Sequence, residues 1–460
     1  MSLINNILSN LPEVKGPEQK YLPFNQKLKW TAIILVAYFI MGVIPLYGLG
    51  RNELANFEFL SIILGAQFGS LISLGIGPIV TASIVLQLLN GSGILKLDTT
   101  THEGRVFFQG FQKLLSIFFI IFESLIYVFM GGLTPELGFS PWVIVLQLFV
   151  AGILILYMDE VVNKWGFGSG ISLFIAAGVA SQIFISAFSP LTTTGDLAFG
   201  SGQSPVGRVW VMFISLFKGL PQEALLAFLA IFATAAIFLI SVYVQAMKVE
   251  IPLSFGRIRG YGIRWPLKFI YTSNIPVILV AALLANVQLW ATLLEKWGYP
   301  ILGTFINGQP VSGFVLWIFP PNLFQNIFTG SFIFTDILRS LSYVLFMIIG
   351  SVIFSIFWVQ TSGMDAATQS KQILASGLQI PGFRRDERVL ERILKRYITP
   401  LTVMGAIAVG FLAAIADVMG ALSRGTGILL AVMIIYNLYE SIAQQHMMDI
   451  HPTLRKVMGK

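Results

Sequence analysis

The sequence predicts an all-α polytopic membrane protein with ten transmembrane helices, and three observations carry that expectation. Hydrophobic residues make up 56% of the 460 and charged residues only 11%, with a mean hydropathy of +0.80; a soluble chain carries about twice that charged fraction. Ten apolar stretches recur along the chain, suited to a bilayer core about 30 Å thick that needs roughly 20 helical residues. Lysine and arginine crowd into alternate connecting segments, the pattern that sets membrane orientation.

Residues 1–28 carry Leu3, Ile4, Ile7, Leu8 and Leu11 at helical spacing, followed by proline and lysine and by no signal-peptide cleavage pattern. They read as a short cytoplasmic helix lying on the membrane surface. The first span covers 29–48. Residues 57–90, FEFLSIILGAQFGSLISLGIGPIVTASIVLQLLN, are too apolar for a loop and too broken for one span. The piece over 57–68 gives a helix about 18 Å long, too short to cross. Gly69, Gly75, Gly77 and Pro78 then interrupt the pattern, so a new helix is expected to begin within 75–78 and to run through Gln87. Two readings fit: a kinked helix with an interfacial preamble, or a short helix folded back into a cavity before a half-broken span. The second points to a pathway, because non-helical backbone at membrane depth is tolerated only where protein buries it or water lines it.

The remaining spans are 75–91, 111–131, 141–160, 171–189, 223–247, 268–290, 337–360, 397–417 and 425–444. With ten spans both ends fall on one side. Of the 29 lysines and arginines, 23 lie on that side, leaving Arg51, Arg208, Lys218, Lys296, Arg339 and Arg424 opposite; both termini are therefore expected in the cytoplasm. The chain divides into an N-terminal segment 1–28, a half over 29–190, an external connecting loop 191–222 rich in Gly, Ser, Thr and Pro, a second half over 223–444, and a cytoplasmic tail 445–460. Residues 291–336, rich in Trp, Phe and Pro, read as an aromatic segment at the outer interface. Pro78 with Gln87 in the second span, and Pro276 with Gln288 in the seventh, repeat one layout five spans apart, a faint trace of inverted repeats.

Two cytoplasmic loops are strongly basic. Residues 248–268 hold Lys248, Arg257, Arg259, Arg264 and Lys268, and residues 371–396 hold Lys371, Arg384, Arg385, Arg388, Arg392, Lys395 and Arg396. Topogenic charge with headgroup attraction explains such clusters, and so does a large polyanionic partner such as ribosomal RNA.

Catalysis finds little to work with. The chain has no cysteine, and His102, His446 and His451 all fall in cytoplasmic segments, so no intramembrane His pair can hold a metal. No G-x-S-x-G elbow or Walker A sequence occurs; Gly166-Phe167-Gly168-Ser169-Gly170 has the wrong order for one and lacks the lysine of the other. No catalytic residue, cofactor or metal site is expected, which leaves an intramembrane protease poorly supported. An ion-coupled secondary transporter with a broken-helix site is the alternative of a different class, and it wants intramembrane charge. Only Glu123, in FFIIFESLIYVF, sits squarely mid-span. Thr81, Asn286 and Gln288 lie at comparable depth, so Glu123 reads as a member of a structural or gating cluster or as a proton carrier. Ile76 with Val80, and Ile171 with Ile175, are one helical turn apart; each pair shares a helix face. Ordinary packing accounts for such pairs, and so does an apolar constriction that blocks water and ions without charge.

One set of residues is more specific. The run 74–89, LGIGPIVTASIVLQLL, resembles the second-span signature of the SecY protein-conducting channel family. So do KLKW at 27–30, GSGISLFIAAG at 168–178, TSNIPVI at 272–278, GFR at 382–384, LKRY at 394–397 and GTGILL at 425–430, all in family order, with wording nearest the archaeal members. The resemblance implies the channel-forming subunit of a protein translocase in the cell membrane, which moves unfolded secretory chains across and releases transmembrane segments sideways into lipid. It implies two inverted five-helix halves with a re-entrant plug helix near 57–68, including Phe57, Ile62, Leu64 and Phe68. It implies a pore ring at Ile76, Val80, Ile171, Ile175, Ile278 and Leu430, and a polar lateral-gate cluster at Thr81, Glu123 and Asn286. The gate lies between the second and third spans on one flank and the seventh and eighth on the other. Implied partners are a SecE-type clamp subunit, a small third subunit, signal sequences, and a ribosome contacted through Arg259 and Arg384.

Overall fold

The computed structural model describes residues 12–18, 22–52, 66–91, 94–95, 102–192, 197–198, 203–255, 262–273, 275–296, 299–306, 309–321, 323–379 and 386–450. In chain order these form α1 (Phe24–Val43), β1 (Leu49–Asn52), α2 (Gly77–Gly91), α3 (His102–Phe129), β2 (Leu133–Pro135), α4 (Pro141–Trp165) and α5 (Gly170–Phe188). Next come α6 (Arg208–Phe217), α7 (Pro221–Ala246), β3 (Lys248–Phe255), β4 (Gly262–Lys268), α8 (Ile275–Lys296), β5 (Phe305–Ile306), β6 (Gln309–Pro310), α9 (Phe314–Ile318) and α10 (Leu323–Phe328). The chain closes with α11 (Phe334–Thr361), α12 (Ala366–Ala375), β7 (Leu378–Gln379), α13 (Glu387–Val418) and α14 (Gly425–Ile450).

Each of the ten apolar stretches carries a helix. Among the described residues eight helices are long and apolar enough to cross a membrane: α1, α3, α4, α5, α7, α11, α13 and α14. Two of the ten expected spans, carried by α2 and by the 22-residue α8, are not among those eight. The helix α2 has 15 residues, about 22 Å, and its start is set where the sequence places it. Gly69 and Gly75 take φ of 97° and 54°, left-handed values that favour glycine, and Pro78 occupies the second helical position, where its missing N–H costs nothing. Pro276 takes the same position in α8.

The chain divides into two compact units, Met1–Val179 with Ile434–Lys460, and Ala180–Met433. In the first, Leu46, Leu74, Ile120, Leu133, Ile144 and Leu148 form a buried cluster among α3, α4 and the approach to α2, and the buried Tyr38 ring stacks on Phe174 at 4.6 Å. Residues 12–15 lie along the end of α4: the Val14 amide donates to Glu160 at 3.0 Å, Trp165 Nε1 donates to the Lys15 carbonyl at 2.9 Å, and Lys164 pairs with Glu13. That lysine holds the Glu13 carboxyl below its ordinary value. Of residues 1–28, expected to hold a surface helix, 1–11 and 19–21 lie outside the described residues, 12–18 are not helical, and α1 already begins at Phe24.

The second unit is built on α11 and α13. Small residues let them meet closely: a Cβ at Gly410 would stand 2.9 Å from the Met347 carbonyl and 2.9 Å from Ser351 Oγ, the close backbone approach by which membrane helices associate. The 32 residues of α13 measure about 48 Å, so the helix outruns the expected span 397–417 and carries its charged first turns beyond the bilayer.

Three small sheets complete the mostly helical fold, and one corrects the reading of 248–268 and 371–396 as separate loops. The strands β3 and β4 pair antiparallel as the two arms of a hairpin, with Val249 opposite Leu267, Ile251 opposite Trp265 and Leu253 opposite Ile263. On its other edge β3 pairs with β7, Ser254 opposite Gln379 and Phe255 opposite Leu378. Ile251, Leu253 and Leu267 are buried with Val359, Leu390 and Leu394, and the Tyr271 hydroxyl donates to the Met364 carbonyl at 2.7 Å. Within 191–222, expected as a surface excursion, the structure adds α6; Trp210 Nε1 fastens it to the Phe188 carbonyl at 2.8 Å.

Replacing Gly410 with Leu should force α11 from α13 and lower stability by about 1–3 kcal/mol, the usual cost of overpacking. The thermal midpoint of the detergent-purified protein checks this; an unchanged midpoint would mean that the close approach is not structurally required.

Candidate functional site

The site grows from the residues that prevent the second stretch from being one helix. Over residues 66–76, ahead of α2, the backbone folds into successive turns that satisfy their own polar groups. Ser70 Oγ donates to the Gln67 carbonyl at 2.7 Å, the Gly69 amide donates to Ser73 Oγ at 2.9 Å, and Ser73 Oγ donates to the Ser70 carbonyl at 2.5 Å. A second strand of chain holds them. The Leu46 amide donates to the Gly69 carbonyl at 2.9 Å and the Leu71 amide to the Ile44 carbonyl at 3.0 Å. Asn52 Nδ2, at the end of β1, donates to the Phe68 carbonyl at 2.9 Å. Phe68 itself lies edge-on to Tyr127 at 6.2 Å. Of the other expected plug residues, Phe57, Ile62 and Leu64 lie outside the described residues.

At the end of these turns stands Ile76, fully buried. Its carbonyl accepts from the Val80 amide at 3.0 Å, so Ile76 and Val80 share a face where α2 begins; Val80 and Thr81 are half-buried. In the same unit Ile171 is half-buried in the first turn of α5, and Ile175 is buried one turn on. In the other unit Ile278 is half-buried in the first turn of α8, and Leu430 is buried on α14. All six are aliphatic residues within two turns of a helix start. Glycine lies in the breaks before α2, α5 and α14, and proline at the second position of α2 and α8.

Glu123 is half-buried on α3 and accepts a hydrogen bond from the Thr81 hydroxyl on α2. The bond lies within one unit. Asn286 belongs to α8, in the other unit, and its side chain lies outside what is described. Arg259 and Arg384 also lie outside the described residues. Both flank the described ladder: each is five residues from the rung that joins Ser254 to Gln379, a covalent reach of about 17 Å. Arg388 and Arg392 are exposed on α13.

A cavity of about 110 Å³ opens between the start of α5 and α14, lined by Phe167, Ser169, Ser172, Asn437, Leu438 and Ser441. Its lining carries no charged side chain. No group of three or more His, Cys, Asp or Glu gathers as a metal site among the described residues.

Two carboxylates escaped the sequence reading, Asp159 near the end of α4 and Asp417 near the end of α13. Each accepts backbone amides from the next helix in the chain: Ile171 N at 2.8 Å for Asp159, Gly425 N at 2.8 Å for Asp417. The sequence signal was present in acidic residues at the rims of apolar spans, but their partners are eight or more residues away.

Comparison with known proteins agrees with this geometry. Residues 70–439 match the SecY family, and residues 36–69 match the plug domain of Sec61p. The chain is 47% identical over 457 residues to the protein translocase subunit SecY of Methanothermobacter thermautotrophicus, covering 98% of each chain. It is 44% identical to that of Methanocaldococcus jannaschii, covering 99% of each. Among solved structures, a protein conducting channel superposes with a TM-score of 0.78 at 42% identity, over 97% of this chain and 98% of that one. Sec61 in the canine ribosome-channel complex from the endoplasmic reticulum gives 0.76 at 41%, with the same coverage.

Proposed function

Because the chain belongs to the SecY family, we propose that it is the channel-forming subunit of a protein translocase, carrying unfolded secretory chains across the membrane and releasing apolar segments sideways into lipid. The observation that carries this reading is the broken second stretch: a segment matching a plug domain, closed by self-bonded turns, then a helix of 15 residues that opens on Ile76 and Val80. A channel that covers its own path needs such a break, and family membership favours it over an ion-coupled transporter. The protein is not an enzyme on this reading; directionality comes from partners. It works as a multi-pass protein of the cell membrane with both termini cytoplasmic, in halves over 29–190 and 223–444 joined by the external segment 191–222.

Ile76, Val80, Ile171, Ile175, Ile278 and Leu430 form the constriction. Branched apolar side chains close around a moving chain and leave no hydrated path for ions. Thr81 holds the Glu123 carboxyl on one flank of the lateral gate, and Asn286 bonds it from the other flank. A hydrogen bond between membrane helices averages about 0.6 kcal/mol, so the cluster biases the gate without locking it. A SecE-type subunit clamps the two halves, and a small third subunit accompanies them. A ribosome docks on the hairpin platform, where Arg259 and Arg384 meet ribosomal RNA; the similarity to a Sec61 solved with a ribosome supports that partner. Exposure of Arg388 and Arg392 on α13 suits a solvated face.

Serine at Ile76 together with Ile175 should raise ion leak through channels reconstituted in planar bilayers; unchanged conductance would remove the gasket role. Charge reversal at Arg259 or Arg384 should weaken ribosome binding and reduce the salt slope by about one per lost phosphate contact, whereas reversal at Arg392 should leave the slope in place. Asn286→Ala should lower the hydrophobicity at which a graded Ala/Leu segment exits into lipid, by a population shift of about threefold for one lost bond. Glycosylation-site mapping of the segment series reads this, and an unmoved midpoint would make the cluster simple filling.

A further inference from the structure

The two aspartates that cap distant helices form a pattern. Asp159 stands on α4, the fourth helical stretch, and caps α5, the fifth: its Oδ1 accepts from Ile171 N at 2.8 Å, and the Gly170 amide and Asn163 also bond to it. Asp417 stands on α13, the ninth stretch, and caps α14, the tenth: its Oδ1 accepts from Gly425 N at 2.8 Å, and its Oδ2 from the Tyr343 hydroxyl at 2.6 Å. Both side chains are in buried residues, 9% and 8% exposed. An ordinary cap comes from the residue just before the helix; these come from 11 and 8 residues upstream, on the preceding helix. Each is thus a tether between two antiparallel helices as well as a cap.

The glycines tell the same story. Gly170 and Gly425 both open the tethered helix. A Cβ at Gly170 would fall 2.7 Å from Asp159 Cα, and one at Gly425 would fall 2.1 Å from the Ala413 carbonyl. The helix start is therefore pressed onto the helix that supplies the carboxylate. Each tethered helix then presents constriction residues: Ile171 and Ile175 in the first turns of α5, and Leu430 five residues beyond Gly425 on α14.

We propose that Asp159 and Asp417 are a matched pair of positioning residues, each fixing the depth and rotation of the helix that presents the constriction side chains in its own unit. This rests on the proposed channel function. With both termini cytoplasmic, the α4–α5 tether lies at the cytoplasmic side and the α13–α14 tether at the external side, so each half is secured from the opposite face. An anchored first turn leaves the apolar side chains one rotational setting, and loss of the anchor lets them swing away from the axis they seal.

The test compares ion leak through the reconstituted channel with its partner subunits. Asp159→Leu and Asp417→Leu remove every acceptor and should each raise leak about fivefold, the population shift that one lost helix cap corresponds to; the double variant should approach about 25-fold if the units act independently. Asp159→Asn and Asp417→Asn keep an acceptor and should rescue the unsubstituted level, which separates positioning from a mere need for charge. Should a leucine variant fail to accumulate, Gly425→Ala displaces the helix start through a Cβ that meets Ala413 and Ala416 rather than Asp417, and should leak likewise. The channel carrying Ile171→Ser and Ile175→Ser is the reference. If it leaks while the leucine and alanine variants lose thermal stability without leaking, the tethers are structural only and the proposal falls. If even the reference stays sealed, the constriction reading fails first and takes the proposal with it.

Discussion

A lipid interior offers no partner to an unpaired N–H or carbonyl, and every irregular piece of this protein is shaped by that constraint. In the described breaks ahead of α2 and α14, other groups of the chain meet the exposed amides and carbonyls. The turns before α2 use Ser70, Ser73 and the chain at Ile44 and Leu46. The connection before α14 uses Thr234 Oγ1, which accepts from the Leu422 amide at 2.8 Å, together with Asp417. Breaks in the helices are where a conducting channel needs its shape, so the residues that serve those breaks are as much part of the channel as the side chains on the path.

The same constraint explains what was legible beforehand. Helical hydropathy is local, so the ten stretches were visible, and so was the start of α2, because Gly75, Gly77 and Pro78 act on their own backbone. Ile76/Val80 and Ile171/Ile175 were readable as i, i+4 faces, whereas Ile278 and Leu430 entered through the family resemblance alone. The hairpin was missed because its alternation, Val249, Ile251 and Leu253, is brief and interrupted by Pro252 and by basic residues that read as topogenic charge. Its pairing with β7 spans more than 120 residues, and no local pattern reports that. The two tethering aspartates were invisible for a related reason: a carboxylate at the rim of a span looks like a boundary marker until the amide it serves is known.

Burial in this molecule also inverts the habit of soluble proteins. Large aliphatic and aromatic side chains such as Val43, Phe217, Leu239 and Ile353 are exposed, as suits surfaces that meet lipid. Beside buried Tyr343, Met347, Val409 and Leu412, the close approach of α11 and α13 is made by small residues: Gly405, Ala406, Gly410, Ala413 and Ala414 along α13, with Ser351 and Ser355 on α11. Lipid tails are as apolar as leucine, so tight packing and interhelical hydrogen bonds decide which helices meet.

The length of α13 has a mechanical consequence. At one end Leu390 and Leu394 are buried beneath the hairpin platform; about 35–40 Å away along the helix, Asp417 grips the first turn of α14. A continuous helix is stiff along its axis, so a push or tilt delivered at the hairpin end arrives at the Asp417 end as motion of the same rod. Pro400, inside the helix, removes one backbone bond and gives that rod a single soft joint, three residues into the apolar stretch. Force applied at the hairpin is thereby converted into leverage on the first turn of α14.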